Sequence, residues 1–211
     1  MLIRNILEES ARKFDEVKAV KWLNKKEIME RSYGELMKNV VSTRKGLLAE
    51  GFEGKHIALI GTSSVEWMES YLGIITGCTT AVPLDAALPC EDLIDLLNRS
   101  DSAALFLSPK HRPYLEAFLA NCPKLQKIWM LQEEVEDAPA KVYGIDELRN
   151  AGKSASADSA CPDAESVATI IFTSGTTGKS KGVMLTQNNL ASNVEAVKIT
   201  AEPGTAMLSV L

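Results

Sequence analysis

No apolar run in this sequence approaches the roughly 20 residues that a helix needs to cross a bilayer, so the chain reads as having no transmembrane segment. Peripheral contact with a membrane stays open on that ground. The N-terminus, MLIRNILEESARKF, is amphipathic and lacks the apolar centre of a signal peptide. Basic stretches are equally scarce. The formal net charge is −5 and the isoelectric point about 5.2. With no basic stripe to neutralise phosphates, a nucleic-acid partner held by general charge is excluded. Histidine is limited to His56 and His111, and the four cysteines (Cys78, Cys90, Cys122 and Cys161) include no CxxC pair. No metal centre is expected from such spacing. Thiols in or beside apolar stretches behave as small hydrophobes, and reduced cysteines fit a cytoplasmic setting.

What the chain does have is alternation. Residues 2–14 predict a helix with a partial apolar stripe, 17–22 and 28–33 two strands around the polar turn Asn24-Lys25-Lys26, and 34–50 a helix stopped by Gly51. Met37, Val40, Val41, Leu47 and Leu48 mark one face of that helix. Strands are then predicted at 56–60, 79–82, 103–107 and 127–131, separated by helices opening at the Ser63-Ser64-Val65-Glu66 capping box, at 89–98 and at 111–121. Short apolar strands alternating with helices of about ten residues indicate an α/β fold, a mostly parallel sheet flanked by helices on both faces. Residues 132–165 turn acidic and then rich in Ala, Ser and Asp, which reads as a mobile surface connection with one short helix near 146–149.

The chemistry concentrates further on. Residues 167–172 are a continuous apolar run typical of a buried strand, and they lead straight into Thr173-Ser174-Gly175-Thr176-Thr177-Gly178-Lys179-Ser180-Lys181-Gly182. Five hydroxyls, three glycines and two lysines in ten residues are a dense set of anion-binding groups. Glycine lets backbone N–H groups turn toward a ligand and approach it, hydroxyls add neutral donors, and lysine adds charge. Residues 166–194 contain no Asp or Glu, although the chain is acidic overall. A flexible Gly/Ser/Thr turn between two strands is the plain alternative.

The Gly-Lys-Ser at 178–180 invites comparison with a P-loop, which needs a glycine five residues before its Gly-Lys pair. That position is Thr173, and residues 183–185 have strand character where a P-loop lysine should open a helix. The P-loop reading fails on both counts.

With those residues in view, the chain resembles the adenylate-forming superfamily of acyl-CoA synthetases, luciferases and peptide-synthetase adenylation domains. FTSGTTGKSKGVMLT (172–186) is similar to the family's signature phosphate loop, TSGTTGxPKGV, with Ser180 where proline is usual. GIITGCTTAVPLD (73–85) and Ser32-Tyr33-Gly34-Glu35-Leu36 resemble two further family elements in the right order. Serine leaves φ free and keeps a donor that proline would remove, so a looser loop is expected. The resemblance implies an incomplete N-terminal domain that activates a carboxylate substrate. Mg-ATP and the acid give an acyl-adenylate and pyrophosphate, and coenzyme A then takes the acyl group. It also implies that Thr173, Ser174, Gly175, Thr176, Thr177 and Gly178 wrap the β- and γ-phosphates and that Lys181 adds charge near the leaving pyrophosphate. Lys179, at a variable position, reads as a solvated lysine. Residues 182–190, with Asn193 and Val194, resemble fatty-acyl members more than amino-acid-activating ones, so the expected substrate is a fatty acid.

No catalytic residue is assigned within these residues. His56 and His111 read as structural, Ser174 lacks the context of a nucleophile elbow, Asp85 closes a turn, and Trp22, Trp67 and Trp129 read as core. Glu133, Glu134, Glu136 and Asp137 lack metal-ligand spacing. The apolar end Met207-Leu208-Ser209-Val210-Leu211 reads as a strand cut short, so the expectation is a piece of a longer enzyme with a partial ATP site and no turnover alone. A non-catalytic nucleotide-binding or interaction module with the first half of the fold is the alternative.

Overall fold

The computed structural model describes residues 2–132, 135, 139–173 and 180–196. Helix α1 (Ile3–Lys13) precedes a two-stranded antiparallel hairpin, β1 (Lys18–Asn24) and β2 (Glu27–Ser32). Ser32 then caps α2 (Tyr33–Ala49): its hydroxyl accepts from the Glu35 N–H while the Glu35 carboxylate accepts from the Ser32 N–H, satisfying two otherwise orphan donors. Gly51, at φ +77°, takes the left-handed conformation that ends this helix.

The main unit follows as β3 (His56–Ile60), α3 (Val65–Ile75), β4 (Thr80–Leu84), α4 (Cys90–Arg99), β5 (Ser102–Leu107), a 3₁₀ segment (Pro109–Tyr114), α5 (Leu115–Asn121), β6 (Lys127–Met130), β7 (Val142–Gly144), α6 (Ile145–Ser154), β8 (Val167–Thr173), β9 (Lys181–Thr186) and α7 (Gln187–Ala196). Seven strands form one sheet in the order β7-β6-β5-β3-β4-β8-β9, and every pair is parallel except β8–β9. Successive strand residues point to opposite faces. Ile57 and Leu59 join a core with Leu47 of α2, Ile74 of α3 and Leu148 of α6; Ala58 and Ile60 join a second with Leu93 and Leu97 of α4 and Phe118 of α5. The expected α/β architecture, mostly parallel and covered on both faces, is what forms.

Polar anchors tie the helical layer together. Glu69 of α3 is fully buried, and its carboxylate receives Arg31 from β2, the Asn39 amide from α2 at 3.0 Å and Arg149 from α6 at 2.8 Å. Arg44 grips Asp158 through two hydrogen bonds of 2.8 and 2.5 Å, and Arg4 adds one to the Ser159 carbonyl at 2.8 Å. Burial pushes the Asp158 carboxyl up, but the Arg44 hydrogen bond and charge outweigh it and hold the group below the ordinary carboxylate range. These bonds fasten the segment after α6 to α1 and α2.

Several details depart from the sequence expectations. The cap of α3 is Ser64, whose hydroxyl accepts from the Trp67 N–H at 3.1 Å; Ser63 and Glu66 form no box. Strand β4 runs on through Pro83 to Leu84. The helix expected at 111–121 is divided, with Pro113 inside the 3₁₀ turn and only residues from Leu115 onward α-helical. Within 132–165 the short helix expected near 146–149 is present but longer, as α6 over Ile145–Ser154 burying Ile145, Leu148 and Arg149, and strand β7 precedes it. Of the three tryptophans only Trp129 is core; Trp67 is half-buried, and Trp22 lies half-buried on the hairpin with the Arg31 guanidinium 5.4 Å from its ring.

Helices α2 and α6 meet backbone to backbone. A Cβ at Gly152 would stand 1.8 Å from the Ser42 carbonyl oxygen and 2.7 Å from the Gly46 nitrogen. Alanine inside a helix ordinarily stabilises by about 0.5–1 kcal/mol over glycine. Here Gly152→Ala should reverse that sign, because the two helices must separate, and cost about 1–3 kcal/mol as overpacking does. Urea unfolding would show it as a lowered midpoint.

Candidate functional site

Strands β8 and β9 are the two arms of the hydroxyl- and glycine-rich loop. They pair antiparallel from Val167↔Thr186 through Phe172↔Gly182 to Thr173↔Lys181, so Thr173 and Lys181 face each other across its neck. Because β8 is parallel to β4 and β3, the neck lies at the carboxyl edge of the sheet, where open α/β sheets place their ligands. Of the expected phosphate-binding residues, Thr173 and Lys181 are seen here; Ser174, Gly175, Thr176, Thr177 and Gly178, with Lys179, lie outside the described residues. Lys181 is exposed, and among the described residues its ammonium has no carboxylate partner. Gly182 keeps the neck slim, since a Cβ there would come within 3.1 Å of Ile170 Cγ2.

The hairpin joins the rest of the sheet through β8, whose Ala168 and Ile170 enter the two cores. Its only ladder position with β4 among the described residues is Ala81↔Thr169, supplemented by two side chains. Thr169 Oγ1 donates to the Ala81 carbonyl at 3.0 Å and Thr80 Oγ1 to the Val167 carbonyl at 3.0 Å. At the far end, Asn189 and Thr186 cap α7 reciprocally, and the buried Gln187 amide donates to the Ile75 carbonyl at 2.7 Å. The run that carries the fatty-acyl resemblance is therefore engaged in folding contacts. One neighbour escapes sequence reading altogether: Arg99, at the end of α4, donates to the Ser180 carbonyl at 2.6 Å. Nothing local relates residues 81 positions apart.

Residues 181–186 are strand, so the loop does not feed a helix and the P-loop comparison is closed. The family described as AMP-binding enzyme matches residues 7–211. This chain belongs to that family. Among AMP-binding relatives, long chain acyl-CoA synthetase 8 of Arabidopsis thaliana is 28% identical over 79% of this chain and 25% of its own length. Oxalate–CoA ligase of the same plant is 30% identical over 93% of this chain and 37% of its own. In fold, the crystal structure of coronafacic acid ligase from Pectobacterium brasiliense superposes with a TM-score of 0.80 at 22% identity, over 97% of this chain and 39% of that one. The chain thus spans about a quarter to two fifths of these AMP-binding proteins. Their names point to acids as different as a long-chain acid and oxalate.

The remaining candidates have structural partners. His56 Nδ1 lies 2.6 Å from the Ser100 carbonyl; buried His111 sits between Ser108 Oγ and the Ala86 carbonyl at 3.2 and 2.9 Å. The Asp85 carboxylate accepts from the Ala87 N–H at 2.8 Å, closing its turn as expected. Glu133, Glu134, Glu136 and Asp137 lie outside the described residues. No helix among the described residues is long and apolar enough to cross a membrane. A cleft of about 410 Å³, lined by Thr79, Thr80, Cys161, Asp163 and Gln187 among others, opens at the amino ends of β4 and β8, opposite the loop.

All four cysteines are free thiols. Burial pushes the Cys122 thiol up to about 11, whereas Cys161 is exposed. The thiolate is the reactive form, so at pH 8 a thiol-reactive disulfide reagent should label Cys161 rapidly and Cys122 only after unfolding. Peptide mapping of the labelled protein checks this.

Proposed function

We propose that the protein acts in ATP-dependent activation of a carboxylic acid, a fatty acid by the resemblance of residues 182–190, with coenzyme A as the acceptor. The observation that carries the reading is the hairpin loop: a strand–loop–strand rich in donors, free of carboxylates from 166 to 194, at the carboxyl edge of a parallel sheet in a chain of the AMP-binding family. In the reaction, a carboxylate oxygen attacks the α-phosphorus of ATP. The bond from that phosphorus to the pyrophosphate oxygen breaks, leaving acyl-AMP. A thiol sulfur then attacks the acyl carbon, and AMP departs.

Both reactants are anionic, so the site must supply positive charge and alignment. Thr173, Ser174, Gly175, Thr176, Thr177 and Gly178 would offer hydroxyl and backbone donors to the β- and γ-phosphates. Lys181 would stabilise the charge that collects on the departing pyrophosphate. The exposed ammonium of Lys181 beside Thr173, without a carboxylate partner among the described residues, suits an anion. The described residues around the neck suit a magnesium ion less well, since no group of three His, Cys, Asp or Glu able to hold a metal occurs among them. A magnesium ion accompanying ATP would neutralise phosphate charge through ligands other than these.

Carboxylate-dependent exchange of labelled pyrophosphate into ATP, run on the full-length protein of this reading frame with fatty, aromatic, amino and dicarboxylic acids, tests the claim. Exchange with a fatty acid is expected; ATP binding without exchange for any acid would favour a nucleotide-binding module instead. Lys181→Ala should raise the KM for ATP or lower kcat by about ten- to hundredfold, the value of one charge-assisted hydrogen bond. Thr176→Ala should weaken ATP use by about three- to tenfold, as for a neutral one. Unchanged kinetics in both variants would return the loop to an ordinary turn.

A further inference from the structure

One side chain from outside the hairpin touches both of its arms at the neck. Arg99 closes α4, and its Nη2 donates to the Ser180 carbonyl at 2.6 Å while Nη1 lies 3.4 Å from Ser180 Oγ. Its guanidinium carbon sits 5.4 Å from the centre of the Phe172 ring. Asp95, one turn earlier, accepts from Nη1 at 3.1 Å and aims the group. Phe172 is the residue before Thr173 on the outgoing arm, and Ser180 the residue before Lys181 on the returning arm. The guanidinium therefore spans the neck on the side of α4.

Geometry and residue type agree on what this does. A planar guanidinium can lie against an aromatic ring and still donate in its own plane; an ammonium cannot do both in a fixed direction. Serine at position 180 leaves its backbone free where proline would fix φ. A charged donor held on the Ser180 carbonyl supplies from α4 a restraint that residue 180 does not supply itself.

We propose that Arg99 is a positioning residue for the phosphate loop, holding Phe172 and Ser180 together so that Thr173 and Lys181 stand at a fixed separation for the ATP phosphates. The proposal rests on the adenylation reading for its ligand, but not for its contact. Arg99 touches no phosphate in this account; it acts through the backbone of Ser180.

Two measurements on the full-length protein test it. In pyrophosphate exchange, Arg99→Ala should raise the KM for ATP by about three- to tenfold while the KM for the acid stays put, and Arg99→Lys should recover only part of the loss. Adding Ser180→Pro to Arg99→Ala should restore ATP affinity, which a general loss of folding would not allow. In amide hydrogen exchange, Arg99→Ala should raise the rate in peptides covering 172–182 and leave those of β3 and β5 unchanged. Equal ATP KM and equal amide exchange in the variant overturn the proposal. So does a general rise in exchange across the sheet with a lowered melting point, because Arg99 would then serve the fold at large. A wild-type protein that catalyses no exchange with any acid sinks the adenylation reading instead. The amide measurement still decides whether Arg99 holds the neck.

Discussion

The enclosed carboxylate of Glu69 is the constraint around which the helical layer on one face of the sheet is arranged. A carboxylate removed from water is costly unless charges and donors surround it. Here Arg31, Asn39 and Arg149 do so from three different elements. Helix α3 brings the acid that β2, α2 and α6 all share. Satisfying Glu69 thus sets the hairpin of β1 and β2, which makes no ladder with the main sheet, against the helices. It also places α6 on α2 closely enough that glycine is needed at 46 and 152. With α2 and α3 fixed, the Ile75 carbonyl is available to receive Gln187, so the same layer fixes the far end of the hairpin arms.

How far the sequence could be read depended on whether a signal was local. Strand β3 and the two arms of the loop are apolar, β-branched runs bounded by turn chemistry, and their positions follow from that alone. Gly51 as a helix stop and Asp85 as a turn closer also act within a few residues of themselves. What could not be read depends on partners far along the chain. Val142–Gly144 is only three residues long and becomes a strand because β6 offers it an edge. The helix after it is legible only near 146–149, and its full length to Ser154 packs because α2 presents Gly46. Ser63 and Ser64 are equivalent as letters, and only the path of the chain selects the second as the cap.

For the candidate site the division is the same. The loop's composition and the absence of acids around it were visible as text, and so was the reason it is not a P-loop. Arg99 was not, since an arginine in the last turn of a helix reads as a favourable partner for the helix dipole and nothing more. The identity of the acid was not legible either. Gln187 and Asn189, which lie in the stretch that resembles fatty-acyl members, are committed to capping and cross-linking. Relatives sharing this part of the chain are named for unlike acids.

The thin seam between β4 and β8 has a consequence for how such a site varies. Five strands, β7 to β4, are knit by parallel ladders, while among the described residues β8 meets β4 at one ladder position, two threonine hydroxyls and the cores that take in Ala168 and Ile170. The arms and the slab are therefore joined more by shared side chains than by backbone bonds. Substitutions that reshape the cores reach the arms through Ala168 and Ile170, while Thr80 and Thr169 set the hydrogen bonds of the seam. A valine at either position, almost the same shape, would take one hydrogen bond from that seam while its apolar contacts survived.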